Sequence, residues 1–410
     1  MSTVHFPPEV LPLRHTSRAQ SIPDYIDTLD GFRAVAAFLV LIFHYWQQSW
    51  TTMVLHFGSF SVDMTHVVSC GFVGVELLFV LSGFCLYYPL CMHPERGFSL
   101  GNYVYKRAVR ILPSYFLCVL ICSVYQVGRM DPHTLREQFI GNMTLTQMTT
   151  PALSYNQLNG VLWSITIEVQ FYILFPVILP LFRKKPYHVM LVAFVIAEVW
   201  RWYLKDIDHS QINWLMNQLP GQLDCFIGGM LAAHIVASLK RTLRERQLKA
   251  LAPAFTTASL GFLLGILLVM MYIAALRYND MPDNLSRIQM NTRKFLVVGF
   301  AGGIATSVFA CRWYHALWGN PLMRFFSMIS YQVYLWHMWI ALRLKDFRIP
   351  EYATERPMDD PAWRFPYLML SLVLSLIVAI ALTWLFERPI TRFAMKHMPR
   401  WARPRPPKEA

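Results

Sequence analysis

One apolar stretch carries an arginine and a histidine at a spacing that could support acid–base chemistry. Arg33 and His44 are eleven residues apart in LDGFRAVAAFLVLIFHYW. At 100° per residue, the two side chains lie on nearly the same face of a helix, about 16 Å apart along its axis. A neutral imidazole in apolar surroundings can accept a proton from a hydroxyl group, which makes His44 a candidate general base. The alternative is structural: His44 bonds a neighbouring helix, and Arg33 extends to the lipid headgroups.

A second group of candidate residues is basic. Lys106, Arg107 and Arg110 lie in YVYKRAVRILPSYF, where Arg107 and Arg110, three residues apart, share a helix face. Two guanidinium groups placed in this way can hold a phosphate-bearing ligand. The same residues also fit the ordinary positive flank of a membrane span.

Polar residues recur every four positions along another apolar stretch. Ser164, Glu168 and Tyr172 form a polar stripe in LWSITIEVQFYILFP. A carboxylate there must be protonated, paired with a cation or in contact with water. Either a catalytic role or a structural ion pair with Arg33 would explain the presence of the Glu168 carboxylate in this apolar stretch.

Two further polar residues interrupt apolar segments near the middle and end of the chain. Asp224 precedes a pair of glycines, and His337 lies in ISYQVYLWHMWI. Both fit a structural role or the lining of an acceptor cavity better than a role in chemistry.

The elements that must position these residues are membrane-spanning helices. The 410 residues are 55% hydrophobic and only 15% charged, which excludes a soluble enzyme. A bilayer needs about 20 mainly apolar residues per helix. That length predicts ten spans, near 31–48, 71–91, 108–126, 161–182, 187–204, 220–239, 253–275, 295–311, 325–343 and 366–386. We therefore expect an all-α membrane protein, a bundle of about ten transmembrane helices in the plasma or inner membrane.

The basic residues predict the topology. Nearly twice as many lysines and arginines fall on one set of inter-span segments as on the other, which places both termini in the cytoplasm. The net charge of +13 is explained by this bias, so no nucleic-acid partner is expected. The seven cysteines show no disulfide or zinc spacing, and no metal is expected.

The chain divides into three parts on this topology. We predict a cytoplasmic N-terminal segment (1–28), a transmembrane domain (29–390) and a basic, proline-rich cytoplasmic tail (391–410), whose last part, WARPRPPKEA, is expected to be disordered. Residues 127–160 lack a strong helical period and are expected to form a long outer loop, with a partly re-entrant loop as the alternative.

In their order and spacing, the motifs resemble the acyltransferase 3 family of integral-membrane O-acyltransferases. The resemblance covers nearly the whole chain. It rests on LDGFRAVAAFLVLIFH, GFVGVELLFVLSGF, KRAVRILPSYFL, LWSITIEVQFYILFP, ISYQVYLWH and FERPITRF. It implies an enzyme that takes an acyl group, usually acetyl, from cytoplasmic acyl-CoA and delivers it to a hydroxyl of an extracytoplasmic glycan or a small metabolite.

The resemblance also assigns roles to the candidate residues. Arg33 and His44 match the family's essential pair, and Glu168 matches the carboxylate of its WS-x3-E string. Arg107 and Arg110, with Lys106 beside them, match the donor-binding motif. Ser164, Tyr172, Asp224 and His337 remain candidates for binding the acceptor. Gln222 stands where many relatives have an arginine, so any acceptor role of that arginine is lost here.

Two questions stay open from the sequence. His44 could act directly as a base or could carry the acyl group as an acyl-imidazole. A proton-coupled transporter or flippase of a polar or anionic substrate is the alternative function, although the two halves of the chain show no internal similarity that would favour it. The sequence makes no prediction of oligomeric state.

Overall fold

The structure, a computed structural model, describes residues 25–58, 60–155, 157–279 and 285–403. Sixteen α-helices occur in these residues. They are Thr28–Ser49 (α1), Thr65–Ser69 (α2), Gly74–Met92 (α3), Leu100–Gln126 (α4), Pro132–Met143 (α5), Pro151–Ser154 (α6), Trp163–Lys184 (α7), Pro186–Tyr203 (α8), His209–Leu215 (α9), Leu219–Thr242 (α10), Glu245–Asn279 (α11), Leu285–Ser307 (α12), Arg312–Trp318 (α13), Pro321–Asp346 (α14), Pro361–Leu382 (α15) and Arg388–Lys396 (α16). Strands Val54–Phe57 (β1) and Phe60–Asp63 (β2) form an antiparallel pair in which Val54 is opposite Asp63.

Ten helices in the described part of the chain are long, and they correspond in order to the ten predicted spans: α1, α3, α4, α7, α8, α10, α11, α12, α14 and α15. Eight are long and apolar enough to cross a membrane, and α12 becomes a ninth if it is counted with α13 across a bend of 119°. Helix α14 is also long, with 26 residues, but it buries polar side chains such as Ser330 and Gln332. The prediction of an all-α membrane bundle is confirmed.

Glycines allow α3 and α10 to pack closely. A Cβ atom added to Gly83 would collide with the carbonyl oxygen of Phe226, and one added to Gly229 would collide with that of Val80. On the other side of α3, Gly74 faces the backbone of α1 in the same way. These contacts explain the small residues of the second span, because only glycine permits this backbone approach.

Six of the charged residues within the apolar helices are paired with one another. Three acidic and three basic side chains form an ionic cluster: Glu76 on α3, Glu198 and Arg201 on α8, Asp224 on α10, and Arg293 and Lys294 on α12. The equal numbers of opposite charges compensate for burial in a membrane bundle. The cluster therefore links four helices and explains how charged residues fit into the predicted fifth span.

The segment 127–160 is more regular than predicted. Helix α5 begins with Pro132 after Asp131, whose carboxylate accepts a hydrogen bond of 2.9 Å from the Thr134 backbone N–H. The Met148 carbonyl oxygen accepts hydrogen bonds of 2.8 Å from the side chains of Trp214 and Gln218. The segment thus contains helices that its sequence pattern did not indicate, because α5 is too short and polar to show an apolar period.

The end of the domain folds back onto α4. Helix α15 continues into a π-helical turn, Thr383–Glu387, and then into α16. The turn leaves Glu387 where its carboxylate accepts a 2.7 Å hydrogen bond from Gln332 on α14.

Helix α16 and the residues after it are attached to the start of α4. The Tyr105 hydroxyl donates to the Ala394 carbonyl oxygen at 2.7 Å, and the Asn102 amide donates to that of Ala402 at 2.9 Å. The expectation of disorder was therefore wrong for residues 401–403, which begin the segment WARPRPPKEA. Residues 404–410, like residues 1–24 of the predicted N-terminal segment, lie outside the described residues.

Candidate active site

Most of the predicted site residues line one cavity between the helices. The cavity has a volume of about 130 Å³. Helices α1, α3, α4, α7 and α14 form its wall. Six predicted residues line it: Arg33, Arg107, Arg110, Ser164, Glu168 and Tyr172. We call it the arginine cavity.

The arginines project into this cavity from two helices. Arg33 lies in the second turn of α1. Helix α4 starts at Leu100, eight residues before the predicted span, so Arg107 and Arg110 lie within the helix and not at its rim. Their shared face is the one that lines the cavity, as their spacing predicts.

None of these three guanidinium groups forms an ion pair with a residue in the described ranges. Arg33 Nη2 approaches the Cys85 sulfur at 3.6 Å, and the Arg107 guanidinium carbon lies 5.7 Å from the centroid of the Tyr172 ring. Among the residues that the structure describes, Glu168 is the one carboxylate that lines the cavity. Three cations with one anion leave an excess of positive charge, which suits a ligand with several negative charges.

Glu168 is held by hydroxyl groups. Its Oε1 accepts hydrogen bonds from the Ser82 hydroxyl at 2.8 Å and from the Tyr172 hydroxyl at 2.5 Å. Ser82 and Tyr172 are themselves 3.1 Å apart. An ion pair between Glu168 and Arg33, one of the two sequence-based explanations, does not occur between these described side chains. The carboxylate is instead fixed on the cavity wall by Ser82 and Tyr172.

Ser164 and Tyr334 also line the cavity and are bonded to each other. Their hydroxyl oxygens are 2.6 Å apart, joining α7 to α14. The Tyr334 ring lies 5.9 Å, between ring centroids, from that of His337, one turn further along α14. Tyr334 therefore lies between the arginine cavity and His337.

His44 pairs directly with His337. His44 Nδ1 and His337 Nε2 are 2.9 Å apart, and the rings are tilted by 34°. His337 is 1% exposed, whereas His44 is partly exposed. Among the described residues, neither histidine lines the arginine cavity. The structure thus places the candidate base beyond Tyr334, next to the cavity that holds the arginines.

Two predicted residues lie apart from this arrangement. Lys106 is exposed on α4 and does not line the cavity within the described residues. Asp224 belongs to the ionic cluster, where it pairs with Arg201 at 2.8 Å. Their predicted roles in donor and acceptor binding stay predictions.

Sequence reasoning missed Ser82, Tyr334 and the pairing of His44 with His337. Ser82 and Tyr334 lie within the strings VLSGF and ISYQVYLWH, so a signal was present. Tyr334 and His337, three residues apart, share a helix face. The pairing itself had no signal, because no local pattern tells which spans become neighbours.

These features define a multi-pass integral membrane protein with a cation-rich cavity among its helices. A family model described as an acyltransferase domain matches residues 26–384. The chain belongs to the acyltransferase 3 family, which confirms the resemblance of its motifs.

Curated relatives carry O-acetyltransferase names. A candidate O-acetyltransferase of Staphylococcus aureus (strain COL) is 24% identical over 334 residues, which are 76% of this chain and 50% of the relative. The peptidoglycan O-acetyltransferase OatA of Listeria monocytogenes is 26% identical over 177 residues, 39% of this chain and 25% of the relative. The O-acetyltransferase OatA of Staphylococcus aureus is 26% identical over 189 residues, 43% of this chain and 28% of the relative.

This chain therefore aligns with half or less of the length of these relatives. No solved structure matches it.

Proposed function

We propose that the protein is a membrane O-acyltransferase that moves an acyl group from cytoplasmic acyl-CoA to a hydroxyl group on the other side of the membrane. The observation that carries this proposal is the arginine cavity, in which three guanidinium groups without an ion-pair partner among the described residues lie next to the pair formed by His44 and His337. Membership of the acyltransferase 3 family supports the class of reaction. The acyl group is taken as acetyl because the relatives are named O-acetyltransferases.

The donor binds through its phosphates. Arg107 and Arg110 hold them by charge-assisted hydrogen bonds, and the phosphate charge compensates for cations that would otherwise be costly in a membrane bundle. The predicted topology places this end of α4 on the cytoplasmic side, where acyl-CoA is available. Arg33 lines the same cavity, so its role is to orient the donor.

The length of the donor matches the distance to the histidines. Arg33 and His44 are separated by about 16 Å along α1. The pantetheine arm of CoA spans roughly 15–20 Å. The thioester end therefore passes Tyr334 and reaches His44, while the phosphates stay with the arginines.

His44 acts as the general base. It removes the proton from the acceptor hydroxyl while the hydroxyl oxygen attacks the thioester carbon. The carbon–sulfur bond then breaks, and the proton passes to the leaving sulfur. Glu168, held by Ser82 and Tyr172, shapes the cavity wall along which the donor lies.

The acceptor approaches from the opposite side. His44 is five residues before the end of α1 at Ser49, about 7 Å along the helix axis. A hydroxyl group needs only this short path from the outer face. We propose an envelope glycan as acceptor because one relative is named a peptidoglycan O-acetyltransferase.

The test is acyl transfer by the purified protein in lipid nanodiscs. Acetyl-CoA is supplied with peptidoglycan fragments, and products are identified by mass spectrometry. Ester formation should disappear in His44→Ala and persist in His56→Ala, a matched control at an exposed histidine of the β1–β2 hairpin. Undiminished transfer by His44→Ala would overturn the assignment of the base. If the peptidoglycan fragments remain unmodified, a strain that lacks the gene is compared with its parent. Mass spectrometry of their envelope glycans and secreted metabolites would then identify a different acceptor.

A further inference from the structure

The protonation of His337 is determined by its own helix. His337 Nδ1 lies 3.1 Å from the Val333 carbonyl oxygen and 2.9 Å from that of Tyr334. A carbonyl oxygen only accepts hydrogen bonds, so Nδ1 of His337 carries the hydrogen. In a neutral imidazole the other ring nitrogen, Nε2, then has a free lone pair and can only accept.

That lone pair determines the tautomer of His44. His337 Nε2 lies 2.9 Å from His44 Nδ1, which must therefore be the donor and carry the hydrogen. The lone pair of His44 is then on its Nε2. Among the described residues, the His44 ring has this contact through Nδ1 and a hydrogen bond with the backbone of Val40, one turn earlier on α1.

We propose that His337 is a positioning residue that holds His44 in the Nδ1–H tautomer and thereby presents Nε2 to the acceptor hydroxyl. This inference rests on the proposed function and adds the atom that takes the proton. His337 touches no reacting atom in this scheme. It orients the ring of His44 and stabilises the imidazolium that forms while the proton is held.

The proton balance of the step follows from this geometry. The hydroxyl proton moves to His44 Nε2 as the hydroxyl oxygen bonds to the thioester carbon. The carbon–sulfur bond breaks, and the proton moves from Nε2 to the sulfur, giving an ester and the CoA thiol. The Nδ1–H of His44 remains donated to His337 Nε2 throughout.

The surroundings keep the His337 ring in this orientation. Its two carbonyl contacts come from residues three and four positions earlier on α14, so the ring cannot reverse its donor and acceptor without losing both. The rings of Tyr45 and Tyr334 flank it, with centroids at 6.2 and 5.9 Å. The hydrogen bond between His44 and His337 therefore has a fixed donor and a fixed acceptor.

Two substitutions separate the hydrogen-bond acceptor from the volume of the ring. His337→Phe keeps a ring but removes the acceptor, whereas His337→Gln offers an amide oxygen near the position of Nε2. We expect kcat to fall by about 10- to 100-fold in His337→Phe and to recover substantially in His337→Gln. KM for the acyl donor should stay unchanged, because the arginine cavity is untouched. CoA titration of each variant reports whether the fold is intact. Equal kcat in the wild type and His337→Phe would overturn the proposal.

Nitrogen NMR provides a readout that needs no reaction. In histidine-labelled protein in bilayers, the signals of His44 are assigned by their loss in His44→Ala. Nδ1 should be protonated and Nε2 unprotonated in the wild type and in His337→Gln, and this preference should be lost in His337→Phe. A proton on Nε2 in the wild type, or the same tautomer in all three proteins, would refute the positioning role. This result is independent of the proposed function, which the acyl-transfer assay of His44→Ala decides.

Discussion

Asp224 and Arg201 form an ion pair of 2.8 Å in which the carboxylate is fully buried and the guanidinium side chain is 3% exposed. The same arginine donates to the Gly221 carbonyl oxygen at 3.0 Å and to Glu198 at 2.7 Å. Arg201 thereby connects α8 to the start of α10. The position of Asp224 within this cluster favours a structural role for a residue that the sequence also suggested for acceptor binding.

Asp224→Asn should destabilise the protein without affecting the donor. Removing the carboxylate leaves Arg201 buried with a weaker partner, at a cost of about 3 kcal/mol. We expect a lower Tm in detergent and an unchanged Kd for CoA. Glu198→Gln is the matched control, since that carboxylate is 29% exposed and its loss should cost less. Normal stability combined with loss of acceptor use would instead support the substrate-binding role of Asp224.

Arg107→Ala and Arg110→Ala should each weaken CoA binding. A charge-assisted hydrogen bond contributes roughly 1.5–3 kcal/mol, which corresponds to about a 10- to 100-fold increase in Kd. Calorimetric titration of CoA measures the change. Arg183→Ala removes an exposed arginine from the last turn of α7 and should leave Kd unaltered. Equal affinity for CoA in the wild type and in all three variants would mean that the two cavity arginines only determine the membrane topology.

Glu168→Gln should strengthen the binding of free CoA. The substitution keeps an oxygen that can accept from Ser82 and Tyr172 but removes the negative charge of the cavity. Relief of a screened repulsion on the order of 1 kcal/mol predicts about a fivefold lower Kd. Glu168→Asp retains the charge and serves as the comparison. A weaker affinity in Glu168→Gln would show that the carboxylate organises the arginines rather than opposing the phosphates.

Gly229→Ala should disrupt the contact between α3 and α10. The new methyl group would collide with the backbone at Val80, which cannot move without separating the helices. We expect a large loss of folded protein, measured by size-exclusion chromatography of the solubilised membrane fraction. Gly261→Ala on α11 has no atom within 4 Å of the added Cβ and should be neutral. Similar yields of the two variants would argue against close packing of α3 and α10.

The sequence predicts the helices and half of the site well because both depend on local periodicity. The apolar runs mark the ten long helices, and the spacings of Arg107 with Arg110 and of Ser164 with Glu168 place each pair on one face. These four residues line the arginine cavity.

The remaining features depend on which helices are neighbours. His44 and His337 are 293 positions apart, and their contact arises only when α1 packs against α14. The partner of Asp224 lies on another helix for the same reason. The observed start of a helix can also differ from the predicted start of its span. Helix α4 begins before its predicted span because polar residues extend the helix beyond its apolar stretch.

The π-helical turn at Thr383–Glu387 determines how this stretch responds to a change in its length. A π turn accommodates one residue more than regular α winding. Deleting a single residue there would restore regular winding and leave the downstream residues close to their present orientation, whereas a deletion from a regular turn of α15 would rotate them by about 100°. That rotation would move Ala394 away from the Tyr105 hydroxyl. A one-codon deletion in the π-helical turn is thus expected to be tolerated better than one in the regular turns of α15.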